Sequence, residues 1–505
     1  MNQTVRKGFF WTLTIIFLCT TPLLILYFIG YRYNAERGIF IYTGSITIQS
    51  NPFQDLNILI DNKPVTTETN QINQSYHIGG ITPGKHTISV SAPDFSTWSK
   101  EVTVRSGLST EFWNVLLPRK QYEKTNIHVP NGSIAFFPSP NGNSILFVSR
   151  ENDETLLTLF DKNTGIFRQI FSSKELLFNV ALTKKSILWS PNNEKAILVP
   201  LQDQENNSRI FLIDTDTLKT IDLRDIIRTS EDSIRNARWS PIDQSILFLT
   251  GTTLFSISTT APFQHTTIST DVDNYDIVRD TIIALESDTG ILFQVPIAQP
   301  ADRIQITTTA PDHLPQINHT SETLEEFPSV ITYDETRIIL EYPKTGDIFL
   351  YNNGNKETSF KKISSNVKGV QFSNDGKKLL YWTDWEIFTL FTRKWTAQPI
   401  REENERADIG RFSTTIKNVQ WARDYEHVLF TVDNDIKIIE LDNRGGRNLL
   451  NVTSSPTPLI DMQSIGSQNQ ILLLRTQHPQ NPSKNTIIFS SIAFPEQVNF
   501  FNFRN

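Results

Sequence analysis

The chain has 505 residues, 38% of them hydrophobic and 11% aromatic, with a formal net charge of −7. That length exceeds one ordinary core and that apolar content excludes a disordered chain, so two or three folded units are expected. The acidic balance excludes a generic nucleic-acid binder, which needs a positive field, and the single cysteine, Cys19, excludes an intramolecular disulfide or a thiolate metal cluster.

A tail of residues 1–8 precedes "FFWTLTIIFLCTTPLLILYFI" at 9–29, which contains no charge. Twenty-one such residues match the hydrocarbon core of a bilayer at ~1.5 Å per residue. Aromatics gather at both ends, Phe9, Phe10 and Trp11 at one and Tyr27, Phe28, Tyr31 and Tyr33 at the other, as at a membrane–water boundary. The pattern predicts a transmembrane signal anchor. A cleaved signal peptide is the rival, but the run is long for one and no A-x-A-like site follows. Arg6 and Lys7 before the helix nearly balance Arg32 and Arg37 after it, and the short tail favours a cytoplasmic N-terminus. The expectation is a single-pass cell-membrane protein with its C-terminal domains extracytoplasmic. Cys19 reads as a small apolar residue of the span, and Leu18 before it disfavours lipidation. Residues 30–43 read as a juxtamembrane linker.

From 44 to 118 the pattern becomes short alternating strands. Ile46 and Ile48, Ile58 and Ile60, Ile88 and Val90, and Val102 and Val104 each alternate with polar residues between Asn, Pro and Gly turns. That is the signature of half-buried antiparallel strands, and it predicts a small β-sandwich with Trp98 and Trp113 in its core. The text "TGSITIQSNP", "NILIDNKPV" and "GGITPGKHTISVSAPDFSTWSKEVTVRSG" resembles the PEGA domain of bacterial surface proteins, although "PFQDL" stands where Pro-Glu-Gly-Ala would. The resemblance implies a bacterial envelope protein whose sandwich follows its membrane anchor.

Residues 125–505 repeat one pattern: an aromatic, a serine, a polar turn, then three or four apolar residues. It appears as "FPSPNGNSILFVS" (137–149), "WSPNNEKAILVP" (189–200), "WSPIDQSILFLT" (239–250), "FSNDGKKLLYWT" (372–383) and "WARDYEHVLFTV" (421–432). Degraded copies are "ITYDETRIILEY" (331–342), "YDIVRDTIIALE" (275–286) and "SIGSQNQILLLR" (464–475). A four-stranded unit repeated in this way predicts a β-propeller of eight blades, with seven as the alternative. Trp189, Trp239, Phe372 and Trp421 are then packing residues between blades. The pattern is similar to the blades of TolB-type proteins. The fold class expected for the whole is mainly β: an N-terminal transmembrane helix, a PEGA-like sandwich and a propeller.

Chemistry is sparse. There is no P-loop, no G-x-S-x-G, no H-E-x-x-H and no C-x-x-C. His313 and His319 share the loop 310–328 with Asp312, Glu322, Glu325 and Glu326, but their spacing suits no helix face and solvation explains the polarity. "DVDNYD" (271–276) lacks the glycine and distal glutamate of a calcium loop and reads as an inter-blade turn. "YWTDWEIFTLFTRKW" (381–395) concentrates Trp382, Trp385 and Trp395, with Thr383-Asp384 suggesting a turn. Candidate partner contacts are therefore Trp385, Trp395, His313 and His319. No cofactor, metal or catalytic residue is expected. The function expected is a non-enzymatic scaffold, bound to the bilayer through 9–29, that presents a propeller to a protein or cell-envelope polymer and not to nucleic acid. The alternative is a propeller-fold hydrolase or lyase acting on envelope glycans or peptides, which would need paired carboxylates at the central channel.

Overall fold

The computed structural model describes residues 3–34, 38–178, 187–191, 195–204, 207–227, 234–259, 263–311, 327–353, 359–465, 468–477 and 487–494. Gln3–Ile29 form one helix, α1. Its segment Val5–Ile29 is long and apolar enough to cross a membrane, and none of it is buried against the rest of the chain. Threonines are tolerated because their hydroxyls donate back into the helix, Thr12 to the carbonyl of Gly8, Thr14 to Phe10 and Thr20 to Ile16 (2.8–2.9 Å). The segment that follows pairs with itself: β1 (Tyr31–Asn34) and β2 (Ile39–Tyr42) form an antiparallel hairpin.

Eight strands come next: β3 (Gly44–Asn51), β4 (Asn57–Ile60), β5 (Lys63–Pro64), β6 (Glu68–Asn70), β7 (Ser75–Ile81), β8 (Gly84–Ser91), β9 (Trp98–Val104) and β10 (Ser109–Leu116). They make two four-stranded sheets, ordered β10-β3-β7-β6 and β5-β4-β8-β9. The alternating residues of both sheets meet in one core: Ile46, Ile48 and Phe112 from the first, and Ile58, Ile60, Ile88, Val90, Trp98 and Val102 from the second. Trp98 is fully buried in it, whereas Trp113 is half-buried and donates to Glu111 (2.9 Å).

The rest of the described chain is a ring of sheets. Seven four-stranded meanders follow in order, over 133–173, 188–222, 234–269, 272–305, 329–364, 369–411 and 416–454. The eighth sheet joins the last three strands (459–465, 470–476 and 487–493) to β11 (Lys124–Val129) from the start of the ring. Each sheet shares an apolar cluster with the next, and the eighth shares one with the first, so the ring closes. Pairing of β11 with Ile487–Ala493 fastens that closure through the backbone. This is a β-propeller. Middle strands are covered on both faces by neighbouring sheets, so they read as unbroken apolar runs: all six residues of Ser245–Thr250 are buried.

Each copy of the repeated pattern falls on the hairpin between the first and second strands of a sheet. Where the pattern carries its serine, that residue is the turn's hub. The Ser373 amide donates to the Lys378 carbonyl (2.8 Å), its hydroxyl donates to Asp375 (2.7 Å), and the Lys378 amide donates to that hydroxyl oxygen (3.0 Å). Gly376, at φ +63, completes the turn by donating to the Ser373 carbonyl (2.9 Å). The aromatic ties one sheet to the last: Trp239 Nε1 donates to the Leu188 carbonyl (2.9 Å), and Trp421 Nε1 to that of Gln371 (3.1 Å).

Candidate partner-binding site

First strands line the ring's axis, and their polar side chains are consumed in tying neighbours together. Gln463 donates to the Phe136 carbonyl (2.6 Å), Gln420 accepts from the Ser464 amide (2.9 Å), and Gln371 from the Trp421 amide (3.2 Å). Asp276 accepts from both the amide and the hydroxyl of Thr332, each at 2.9 Å. "DVDNYD" is therefore not a turn. From Val272 onward it is the axial strand of the fourth sheet, and its Asn and Asp side chains reach the fifth sheet, Asn274 through the Pro328 carbonyl (2.7 Å). The polar spacing that mimicked a loop is that of a strand whose Asn274 and Asp276 side chains bind the neighbouring sheet. Asp461 accepts from the Met462 amide (2.8 Å). These axial carboxylates are bound to backbone or hydroxyl donors, and among the described residues no group of His, Cys, Asp and Glu could hold a metal.

The meander gives the ring two ends. Turns from first to second and third to fourth strands lie at one end. Turns from second to third strands, and connections between sheets, lie at the other. The two-sheet unit is docked at the first end, over the sixth and seventh sheets. Lys100, on the inward register of β9 with its side chain wholly buried, donates to the carbonyls of Asp442 (2.7 Å) and Gly446 (3.0 Å) and pairs with Glu440 (2.9 Å). Glu440 also accepts from Trp98 Nε1 (2.9 Å) and from the amide and side chain of Asn448 (2.6 and 2.8 Å). Arg444 lies 4.2 Å over the Phe112 ring and donates to the Glu111 carbonyl (2.7 Å) and to Asp442 (2.6 Å). Burial raises the Asp442 pKa, but Arg444 and Lys100 outweigh it and hold the carboxyl below its ordinary value. Gly445 is needed where the loop meets β9, because at φ +62 a Cβ would stand 2.0 Å from the Glu101 carbonyl. A second buried ion pair lies beneath. His427 Nδ1 is 2.6 Å from Asp424, both buried, and His427 pairs across strands with Glu440. Burial lowers the His427 pKa, yet Asp424, with Glu440 and Glu426 behind it, raises it overall.

Also at the docked end, a cavity of about 380 Å³ opens between the second and third sheets, lined by Trp239, Phe263, Ile221, Lys195, Lys219 and Asp214. Trp395 belongs to this end as well. It is half-buried against the shared core of the sixth and seventh sheets, with Lys378 Nζ 4.1 Å over its ring.

Trp385 lies at the opposite end. Thr383–Trp385 form the turn between Lys378–Trp382 and Glu386–Phe391, so a strand of ~20 Å separates Trp385 from Trp395. The turn's backbone is fixed: Trp385 and Asp384 carbonyls accept from the amides of Phe412 and Ile416 (both 2.8 Å). The Thr383 side chain accepts from the Glu386 amide (3.1 Å). The indole itself is 51% exposed, which makes Trp385 the one strongly exposed aromatic beyond residue 44 among the described residues. Charged pairs rim it, Lys368 with Asp384 (3.7 Å) and Arg411 with Glu386 (3.8 Å). His313 and His319, and the carboxylates expected beside them, lie outside the described residues. Sequence reasoning missed Lys100. Its signal was visible, a lysine standing on the buried register of the alternating "WSKEVTV".

No protein-family model matches the chain, and no curated protein does. Among solved structures it is similar to the Dos1 propeller (TM-score 0.47, 10% identity, covering 74% of this chain and 96% of that one). It is also similar to the Myceliophteria thermophila Cps50 (Swd1) β-propeller domain (0.38, 13%, 73% and 98%). A chain of the mitotic checkpoint complex is similar at 0.39 and 9%, over 75% and 94%. These are likenesses of fold, and the propeller follows from the ring's own sheet order and packing.

Proposed function

We propose that this protein is a membrane-anchored, extracytoplasmic scaffold whose distal propeller end binds a protein or cell-envelope polymer. In this reading residues 9–29 are an uncleaved anchor, 44–118 a PEGA-like sandwich of a bacterial envelope protein, and 125–505 an eight-bladed propeller. One observation carries it: an exposed tryptophan on a backbone-fixed turn, rimmed by charge, at the end of the ring that the two-sheet unit leaves free. A large aromatic held this way loses little conformational freedom on binding, which is what an interface anchor requires. The axial carboxylates of Asp276 and Asp461, held by backbone and hydroxyl donors, support binding over hydrolysis.

The test replaces Trp385 by a photo-crosslinking amino acid in the full chain and irradiates intact cells. Discrete adducts at this position, missing when the same group replaces Ile242 at the docked end, support the reading. Trp385→Ala should weaken the captured complex about 30-fold, the value of a ~2 kcal/mol anchor, while leaving the melting temperature unchanged. A complex indifferent to Trp385→Ala overturns the site. Glycan or peptide turnover by the wild type that vanishes with an axial carboxamide substitution overturns the scaffold.

A further inference from the structure

We infer that the hairpin of β1 and β2 is a lipid-surface contact, seated by its aromatic face in the headgroup layer of the bilayer that α1 crosses. This rests on the anchor reading above and goes beyond it, since an anchor alone requires nothing of the residues that follow.

Gly30 is the one residue between the end of α1 and the start of β1, so the hairpin begins within a few ångströms of the helix terminus. Its place relative to the helix is fixed. The Gly30 carbonyl accepts from the amide (3.0 Å) and hydroxyl (2.6 Å) of Thr43. Arg32 donates to the Tyr27 carbonyl (2.7 Å) and lies 3.8 Å over the Tyr27 ring, closing the helix C-terminus with a cation. If α1 spans a bilayer, the hairpin stands at the boundary where its hydrocarbon ends.

The hairpin's composition fits that place. Register sets Tyr31 opposite Tyr42 and Tyr33 opposite Phe40, so all four rings share one face. They pair across the strands, Tyr31 stacked on Tyr42 at 5.0 Å and Tyr33 edge-on to Phe40 at 5.5 Å. Yet Tyr33 is 61% exposed and Phe40 45%, and Phe28 near the end of the helix is 82% exposed. A two-stranded ribbon is marginal in water, and an aromatic face left wet does nothing to secure it. Tyrosine rings at a headgroup layer bury their carbon edges and keep their hydroxyls hydrated. At its Tyr31–Tyr42 end the same face meets the two-sheet unit, where the Tyr42 ring leaves no room for a Cβ at Gly107 (2.4 Å), so the part left for the headgroups is the Tyr33–Phe40 end.

The experiment uses the full chain in phosphatidylcholine–phosphatidylglycerol vesicles, spin-labelled at one cysteine at a time. The sites are native Cys19 and, with Cys19→Ser, Phe40→Cys or Ile242→Cys. Collision rates with oxygen and with a water-soluble nickel chelate are read at each. The expected result is an oxygen-to-nickel ratio highest at residue 19, lowest at 242, and at least several-fold above the 242 value at 40. A ratio at 40 equal to that at 242, with 19 still deep, overturns the lipid contact and leaves the anchor standing. Low collision with both reagents at 40 means a protein covers the face, which also overturns it. An aqueous ratio at 19 overturns the anchor itself, and the inference with it.

Discussion

Lys100→Met tests whether the two-sheet unit and the ring are one body. Methionine fills the volume of the lysine stem, so the change removes charge and hydrogen bonds without opening a cavity. The side chain is wholly buried, and its ammonium serves two backbone carbonyls and Glu440. Removing one partner of a buried ion pair costs ~3–5 kcal/mol. Here the lower end applies, because Glu440 retains Trp98 and Asn448 and Asp442 retains Arg444. A loss of about 3 kcal/mol is expected. Glu440→Gln should cost about as much, since it leaves the ammonium with Asp442 at 3.7 Å as its remaining carboxylate. The double variant should lose less than the sum, with a coupling of ~1–3 kcal/mol. Urea unfolding of the detergent-solubilised full chain gives these values, and proteolysis at residues 118–124 reports whether the unit has come away. A wild-type urea midpoint and no added cleavage in Lys100→Met would refute the rigid seam.

Trp239→Ala should destabilise by ~3 kcal/mol, at the low end for an aromatic truncation because the ring is only half-buried. An unchanged melting temperature would show that Trp239 does not join the second and third sheets. The buried His427–Asp424 pair predicts a pH signature. With the folded His427 pKa raised above 6.5, its contribution is complete below pH 6.5 and is lost as pH rises through the folded value. Asp424 is lowered despite burial, so its contribution is complete above pH 3.8 and is lost as pH falls through its folded value. The urea midpoint should therefore decline as pH rises above 6.5 in the wild type, and His427→Gln should flatten that decline; equal slopes would sink the assignment.

The apolar alternation of residues 44–118 was legible because a sheet with one buried face must alternate, and the isoleucines and valines singled out from it lie in the core with Trp98, whereas Trp113, expected there too, is half-buried outside it. The repeated pattern was legible for a different reason. Its Ser-x-Asp/Asn turn is a side-chain-to-backbone motif that the sequence spells outright, and the runs after it are apolar because neighbouring sheets cover both faces. "DVDNYD" defeated the same logic, since an axial strand carries polar side chains for neighbouring strands and so looks like a loop. The hairpin at 31–42 was missed because its apolar residues face outward, which alternation alone cannot distinguish from a linker. Trp385 and Trp395 looked equivalent in sequence. What separates them is the length of a strand, which places one over the shared core and the other at the tip of the opposite turn.

Between α1 and the distal turn each junction is tied by hydrogen bonds to backbone. Thr43 fastens the helix end, and Lys100 and Arg444 fasten the unit to the seventh sheet. The connection at 118–123 is tied as well: the Pro118 carbonyl accepts from the Ser96 amide (2.8 Å), the Lys120 amide donates to the Asp94 carbonyl (2.8 Å), and Tyr122 packs into the ring's core. A flexible tether would let the propeller sample all orientations and would need none of these contacts. Buried charge is costly to assemble and gains its return in a defined geometry rather than in stability. The seam is therefore best understood as setting direction: it fixes which end of the propeller is turned from the docked unit, and that end is the one carrying Trp385.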